Sequence, residues 1–352
     1  MNLLSRKNNT IEVNYMRKPD FTNLLKVLGR EVPGRPTLFE FFLNQPLYEK
    51  LAGESMNTTQ EPLERIRVMI KAFKNAGYDY ATILGSDFSF PHEEAKTIKT
   101  RSLNDGNVIK NRNDFEDYKW PDPDSFDYSR LEKLKSDLPD GMKLIVYGPG
   151  GVLENVIQLV GYDSLCYMIY EDPDLVQDIF DAVGSRLVRY YEICAAYDTV
   201  GALISNDDWG FKTQTMLSPQ HMRRYVFPWH KKIVQTIHKF GKPAILHSCG
   251  NLEEVMEDII EDMRYDAKHS YEDAIMPVEK AYERWGGRIA ILGGIDVDFV
   301  CRATPQEIKQ RCRAMLKKTE KRGGYALGTG NSIPEYVPDE KYFAMISVAL
   351  EE

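Results

Sequence analysis

Ala244-Ile245-Leu246-His247-Ser248-Cys249-Gly250-Asn251 is a short apolar run that ends in His-x-Cys and breaks into Gly-Asn. Side chains alternate faces along a strand, so His247 and Cys249 point the same way. An imidazole and a thiol aimed together at a strand's end make half of a zinc site. The next segment, Leu252 to Ile260, reads as a helix with Asn251 as N-cap and Glu254 at the third helical position. Cys249 then lies just before a helix N-terminus, where the dipole favours the thiolate. The same tripeptide also fits a buried thiol beside a hydrogen-bonded histidine in a barrel core, and its surroundings have to decide.

The same grammar recurs outward from this run. Strands are expected near Thr37–Phe41, Asp79–Leu84, Leu144–Tyr147, Gly201–Ile204, Ala244–His247, Tyr265–Ala267, Ala290–Gly293 and Ala326–Gly328. Each is followed within three residues by Gly, Asp, Asn or Ser, and most lead into an amphipathic helix. Eight such repeats predict an α/β fold: a single (β/α)8 TIM barrel with an insertion after the second strand. A doubly wound open sheet is the alternative, yet no glycine-rich phosphate fingerprint follows an early strand, and Gly148-Pro-Gly-Gly151 lacks both the P-loop lysine and the dinucleotide spacing. The insertion, Ser86 to about Asp140, is polar and is expected to hold a hairpin near Thr97–Ile109 and one helix. Residues 1–20 read as an N-terminal arm and residues 21–352 as one barrel domain, with no second domain.

Bulk composition excludes several classes. Of 352 residues, 43% are hydrophobic and 28% charged, as in a water-soluble globular chain. A net charge of -8 argues against a nucleic-acid surface, which needs a basic footprint. No apolar run approaches the roughly 20 residues that cross a bilayer, and the first residues carry no signal-peptide core. Five cysteines, an odd number scattered along the chain, point to a reducing, cytoplasmic setting. Core packing accounts for Cys166, Cys194, Cys301 and Cys312; only Cys249 has a histidine two residues away.

Barrel active sites gather at the C-terminal ends of the strands. Those positions hold Asp87, Glu154, Asp207, Asp208, His247, Cys249, His269, Glu272, Asp296, Asn331 and Ser332. Each also has a plain reading. Asp207-Asp208-Trp209-Gly210 fits a capped turn as well as a ligand pocket, and Asp87 fits either a turn or a site. His269 suits a substrate contact or a surface position, and Asp296 suits a substrate carboxylate or a helix cap.

Four motifs carry a family resemblance: Leu246-His-Ser-Cys-Gly250, Asn206-Asp-Asp-Trp-Gly210, Leu292-Gly-Gly-Ile-Asp296 and Gly328-Thr-Gly-Asn-Ser-Ile-Pro334. Taken in their order along the chain they resemble the uroporphyrinogen decarboxylase superfamily, from about Phe21 to the C-terminus. That superfamily consists of (β/α)8 barrels and includes decarboxylases of haem synthesis and zinc methyltransferases that work with methylcorrinoid proteins. The decarboxylases carry an Arg-Gln-Ala-Gly-Arg segment after the first strand, whereas this chain has Phe39-Glu-Phe-Phe-Leu-Asn-Gln45 with no arginine. A substrate with eight carboxylates needs guanidinium partners, so the resemblance is closer to the methyltransferase branch. His247 and Cys249 match that branch's His-x-Cys, while Asn331 replaces its second cysteine, and an amide is a poor zinc ligand. Asp208 or Glu272 is then the candidate to complete the site.

The resemblance implies a methyltransferase that moves a methyl group between a small substrate and a corrinoid-binding protein, with Zn2+ on His247 and Cys249 and methylcobalamin on the partner. Asp87, Asp207, Asp208 and His269 are the catalytic candidates; Glu154, Trp209, Glu272, Asp296 and Asn331 are the substrate-binding candidates. A homodimer, without nucleic acid or membrane, completes the expectation. The alternative is a decarboxylase or other lyase on a carboxylated substrate, with Asp87 stabilising a protonated intermediate and no metal needed. A non-catalytic corrinoid or tetrapyrrole carrier is the third reading.

Overall fold

Apolar runs bounded by turn residues become strands, and the periodic segments between them become helices. The computed structural model describes residues 17–56, 61–91, 103–104 and 107–351, with the backbone of two antiparallel strands, β1 (Arg6–Lys7) and β2 (Thr10–Ile11). A seven-stranded sheet holds β3 (Tyr80–Leu84), β4 (Lys143–Tyr147), β5 (Val200–Asn206), β6 (Ala244–His247), β7 (Ala267–His269), β8 (Ala290–Leu292) and β9 (Tyr325–Ala326) in sequence order. Strand, helix and next strand in strict succession define a TIM-barrel-like α/β fold. No helix among the described residues is long and apolar enough to cross a membrane.

The chain divides into two compact units that interleave in sequence. One comprises Met1–Ile83, Glu132–Ile145 and Ala267–Glu352; the other comprises Leu84–Leu131 and Val146–Asp266. In the first, β7 pairs parallel with β8, and β8 with β9. The segment expected as the first strand is reduced to a single parallel bridge, Leu38 to Leu327. Side chains replace the ladder on its other side. Tyr80 Oη accepts from the Glu40 N–H and donates to the Glu40 carbonyl, both at 2.7 Å, and Thr82 Oγ1 donates to the Phe41 carbonyl at 2.5 Å. Phe39, Tyr80, Phe73 and Tyr78 pack in tilted and edge-to-face contacts as a buried aromatic cluster, each ring removing a large apolar area from water. Arg17 holds the carbonyls of Pro36 and Ala349, and Asp20 caps the helix Phe21–Leu28, so the chain is anchored from Arg17 onward.

In the second unit, β5 pairs parallel with β6 through Leu203↔Ala244 to Asn206↔His247. The helix Pro173–Ala195 begins as its sequence requires, with Asp172 accepting from Leu175 N and Pro173 in the first turn. Its buried stripe runs from Leu175 through Ile179, Val183 and Leu187 to Cys194.

Several expectations are corrected. The sixth strand is Ala267–His269 rather than Tyr265–Ala267; Tyr265 instead turns its hydroxyl into a buried polar cluster. The regular helix over 252–260 is a 3-10 turn, Glu253–Val255, that runs into a π-helical segment, Asp258–Asp262. Asn251 accepts from Glu253 N at 3.1 Å and so forms an Asx turn rather than a helix cap. Among its described residues the insertion carries two short helices, Arg112–Asp117 and Arg130–Lys133, and two 3-10 turns, where one helix was expected. The hairpin near Thr97–Ile109 lies mostly outside the described residues. Cys194 and Cys312 are buried as core residues, whereas Cys166 and Cys301 are only partly covered.

Candidate metal centre

The site grows from the ends of two adjacent strands. β5 ends at Asn206 and β6 at His247, and the ladder continues past both, with Asp207 N donating to His247 O at 3.0 Å and Gly210 N to Cys249 O at 3.1 Å. This zipping lays the turn 206–210 beside the His-x-Cys segment. Asp208 Oδ1 accepts the Cys249 N–H at 2.9 Å, which fixes the carboxylate against the thiol's own backbone. One oxygen, one nitrogen and one sulfur of Asp208, His247 and Cys249 all lie within 4.8 Å of one another. The alternation argument for the strand end therefore holds: Cys249 Sγ is 3.9 Å from His247 Nε2.

A zinc ion with ordinary Zn–S and Zn–N bonds in a tetrahedron needs its sulfur and nitrogen about 3.6 Å apart. The observed spacing requires only a slight contraction. Carboxylate, imidazole and thiolate also form a recognised donor set for such an ion. Zinc therefore fits these residues. Between Asp208 and Glu272, the two candidates for a third ligand, it is Asp208 that lies beside His247 and Cys249.

Two further carboxylates surround the triad. Glu154 caps its own helix, Val152–Val160, by accepting from Gly151 N at 2.9 Å, and it also accepts the Asp208 N–H. Burial, then the neighbouring charges of Asp207 and Asp208, push its carboxyl up to about 8. Asp207 is buried and accepts from Leu153 N and Glu154 N, both at 2.9 Å, and from His230 Nε2 at 2.9 Å. Trp209 is wholly buried, packed edge-on against His230 and tilted against Phe227.

Asp87 does not join this group. It is on the surface, its side chain 77% exposed and paired with Arg130 at 2.6 Å. His269, Glu272, Asp296 and Asn331 belong to the other unit. There His269 is buried edge-on to Phe39, and desolvation lowers its pKa to about 3, so the ring is neutral. Asp296 spends both oxygens on backbone: it caps Val297–Arg302 through Phe299 N and accepts from Asp273 N. Asn331 Oδ1 accepts from Ser332 N. Two polar residues escaped the sequence analysis. His230 lies in an apolar helical stretch and carries no motif. Glu40, however, is a lone acid inside Leu38-Phe-Glu-Phe-Phe42, which is a legible signal of a buried carboxylate.

Fold and site together define a class: a TIM-barrel-like α/β protein with a carboxylate, an imidazole and a thiol converging at neighbouring strand ends. Comparison with known proteins is consistent with this class and narrows it. The family model described as Uroporphyrinogen decarboxylase (URO-D) matches residues 37–351. The chain belongs to the uroporphyrinogen decarboxylase family. It is 22% identical over 249 residues to a uroporphyrinogen decarboxylase of Anaeromyxobacter dehalogenans (strain 2CP-C), covering 68% of each chain. It is 26% identical over 186 residues to one of Paraburkholderia phytofirmans (strain DSM 17436 / LMG 22146 / PsJN), a match spanning 51% of this chain and 47% of that one. Among solved structures, a methyltransferase from Methanosarcina mazei superposes with a TM-score of 0.67 at 15% identity, over 94% of this chain and 98% of that one. At that identity the likeness is one of fold.

Proposed function

We propose that this protein is a corrinoid-linked methyltransferase that uses a zinc ion held by Asp208, His247 and Cys249. The convergence of those three donor atoms within 4.8 Å carries the reading. Three protein ligands leave a fourth position open, as catalytic rather than structural zinc does. When bound, zinc lowers the pKa of a thiol or similar acceptor and presents it as a nucleophile. The chain's own part is orientation. The Cys249 N–H donates to Asp208 Oδ1 and so holds the carboxylate beside the thiol and the imidazole. Glu154, hydrogen-bonded to the Asp208 backbone, is the proposed polar contact for the small substrate. A corrinoid-binding protein in the cytoplasm is the proposed partner, and a barrel closed at the Leu38 segment is the proposed frame.

The family relatives named as decarboxylases favour a second reading, a carboxy-lyase. Two features of this chain weigh against it. Its segment 39–45 has no arginine to hold carboxylates, and the expected acid, Asp87, is exposed and ion-paired at the surface.

Metal analysis and methyl transfer with free methylcobalamin and a thiol acceptor test the proposal. The wild-type chain should hold about one zinc, and His247→Ala should lose the metal and lower the rate at least about 100-fold, the scale of one lost catalytic interaction. Equal metal content and rate in the variant would discard it. Asp87→Asn should leave methyl transfer unchanged; if it instead abolishes a chelator-resistant decarboxylation, the second reading is right.

A further inference from the structure

His230 sits in a buried polar knot beneath the site. Its side chain and that of Asp207 are both fully buried. Nε2 lies 2.9 Å from Asp207 Oδ2, while Nδ1 lies 2.8 Å from Tyr265 Oη and 3.1 Å from Ser205 Oγ. The Asp207 oxygens already accept two backbone N–H groups, so Nε2 is the donor in this pair, and Nδ1 faces the hydroxyls of Tyr265 and Ser205. Trp209 fixes the plane of the ring, edge to face, with centroids 4.7 Å apart and planes at 87°. Asp207, the residue that His230 grips, is tied to the helix of Glu154 and to the backbone of His247. Its oxygens take the N–H groups of Leu153 and Glu154, its own N–H goes to the His247 carbonyl, and its chain neighbour is Asp208.

We propose that His230, acting through Asp207, is a positioning residue that sets the orientation of Asp208 and with it the affinity and geometry of the metal centre. The inference rests on reading that centre as a metal site. Without the imidazole, Asp207 keeps only its two helix N–H donors, both on one side. The turn that carries Asp208 then keeps its backbone bonds to the His-x-Cys segment but loses the anchor on its Asp207 side chain. Outer partners of this kind change metal affinity by roughly 10–100-fold.

The experiment uses the full chain and two metals, Zn(II) in competition with a chromophoric chelator and Co(II) for its absorption spectrum. His230→Ala should weaken Zn(II) binding at least about 10-fold and shift the Co(II) bands. His230→Gln, whose amide N–H can occupy the place of Nε2–H, should restore both. Tyr265→Phe removes one of the two hydroxyls that hold Nδ1 and should weaken Zn(II) a few-fold, so it decides the matter if His230→Ala fails to fold. A purely structural role would lower stability in His230→Ala without moving the Co(II) bands of the folded fraction, and that result overturns the proposal. Wild-type affinity and spectrum in both His230→Ala and Tyr265→Phe overturn it too, while leaving the metal centre intact. A wild-type chain that takes neither metal removes both readings at once.

Discussion

Glu40 concentrates the residue-scale physics of this protein. It is a wholly buried carboxyl whose Oε1 accepts the Thr329 N–H at 2.7 Å and whose Oε2 lies 2.7 Å from Thr329 Oγ1. That hydroxyl is also 2.6 Å from the Asn331 carbonyl, but it has one hydrogen for two acceptors. A protonated Glu40 resolves the count by donating to Thr329 Oγ1, which then donates to Asn331 O. Burial agrees, since it pushes the Glu40 carboxyl up to about 8. The folded state thus holds a proton that the unfolded chain releases near pH 4.3, and its stabilising effect is lost as pH rises toward 8. His269 has the opposite sign: its lowered pKa costs stability only as pH falls below about 6.5. Between pH 6.5 and 8 the Glu40 effect is therefore separable from that of His269. Wild type should lose about 2 kcal/mol there relative to Glu40→Gln, measured by urea unfolding. Parallel pH profiles for the two proteins would rule out a protonated Glu40.

At the scale of elements, two turns decide whether the site assembles. Gly250 has φ +88°, and a Cβ there would stand 2.1 Å from the Gly210 carbonyl oxygen; a Cβ at Gly210 would stand 2.7 Å from Asn251 N. The turns after β5 and β6 pass backbone against backbone, and only glycine permits it. Gly250→Ala should cost at least about 2 kcal/mol from left-handed strain plus the clash. It should also weaken metal uptake, because the contact holds Asp208 beside Cys249. A melting temperature equal to wild type would refute the close approach. The helical segments nearby are equally particular. Two π-helical stretches, Met222–Val226 and Asp258–Asp262, are joined by a bidentate Arg223–Asp258 pair at 2.8 and 2.9 Å. The first lies just ahead of the helix Phe227–Lys239 that carries His230. Hydrophobic spacing near 3.6 residues predicts that a helix exists but does not register a wider local turn. Hence the segment after Asn251 was legible as helical, while its 3-10 and π form was not.

For the whole molecule, the proposed metal couples to folding. An ion that binds the folded chain and not the unfolded one adds about 2.7 kcal/mol at a hundredfold excess over its Kd. Thermal unfolding should accordingly shift upward with Zn(II) and return with a chelator, whereas His247→Ala should respond to neither. Identical melts with zinc and with chelator would contradict a site of useful affinity. What the sequence alone determined here is local or periodic: the succession of strands and helices, the cap at Asp172, and the strand end where His247 and Cys249 come together. Each rests on side chains a few residues apart, whose facing follows from the backbone repeat. Tertiary structure alone decided the rest. Asp208 meets Cys249 across 41 residues of sequence and Thr329 meets Glu40 across 289. It also left Asp87 outside the site and turned Asp207 from an expected acid into a clamp. Those outcomes depend on which buried polar atoms find partners once the chain is packed, and no repeat in the sequence encodes that pairing.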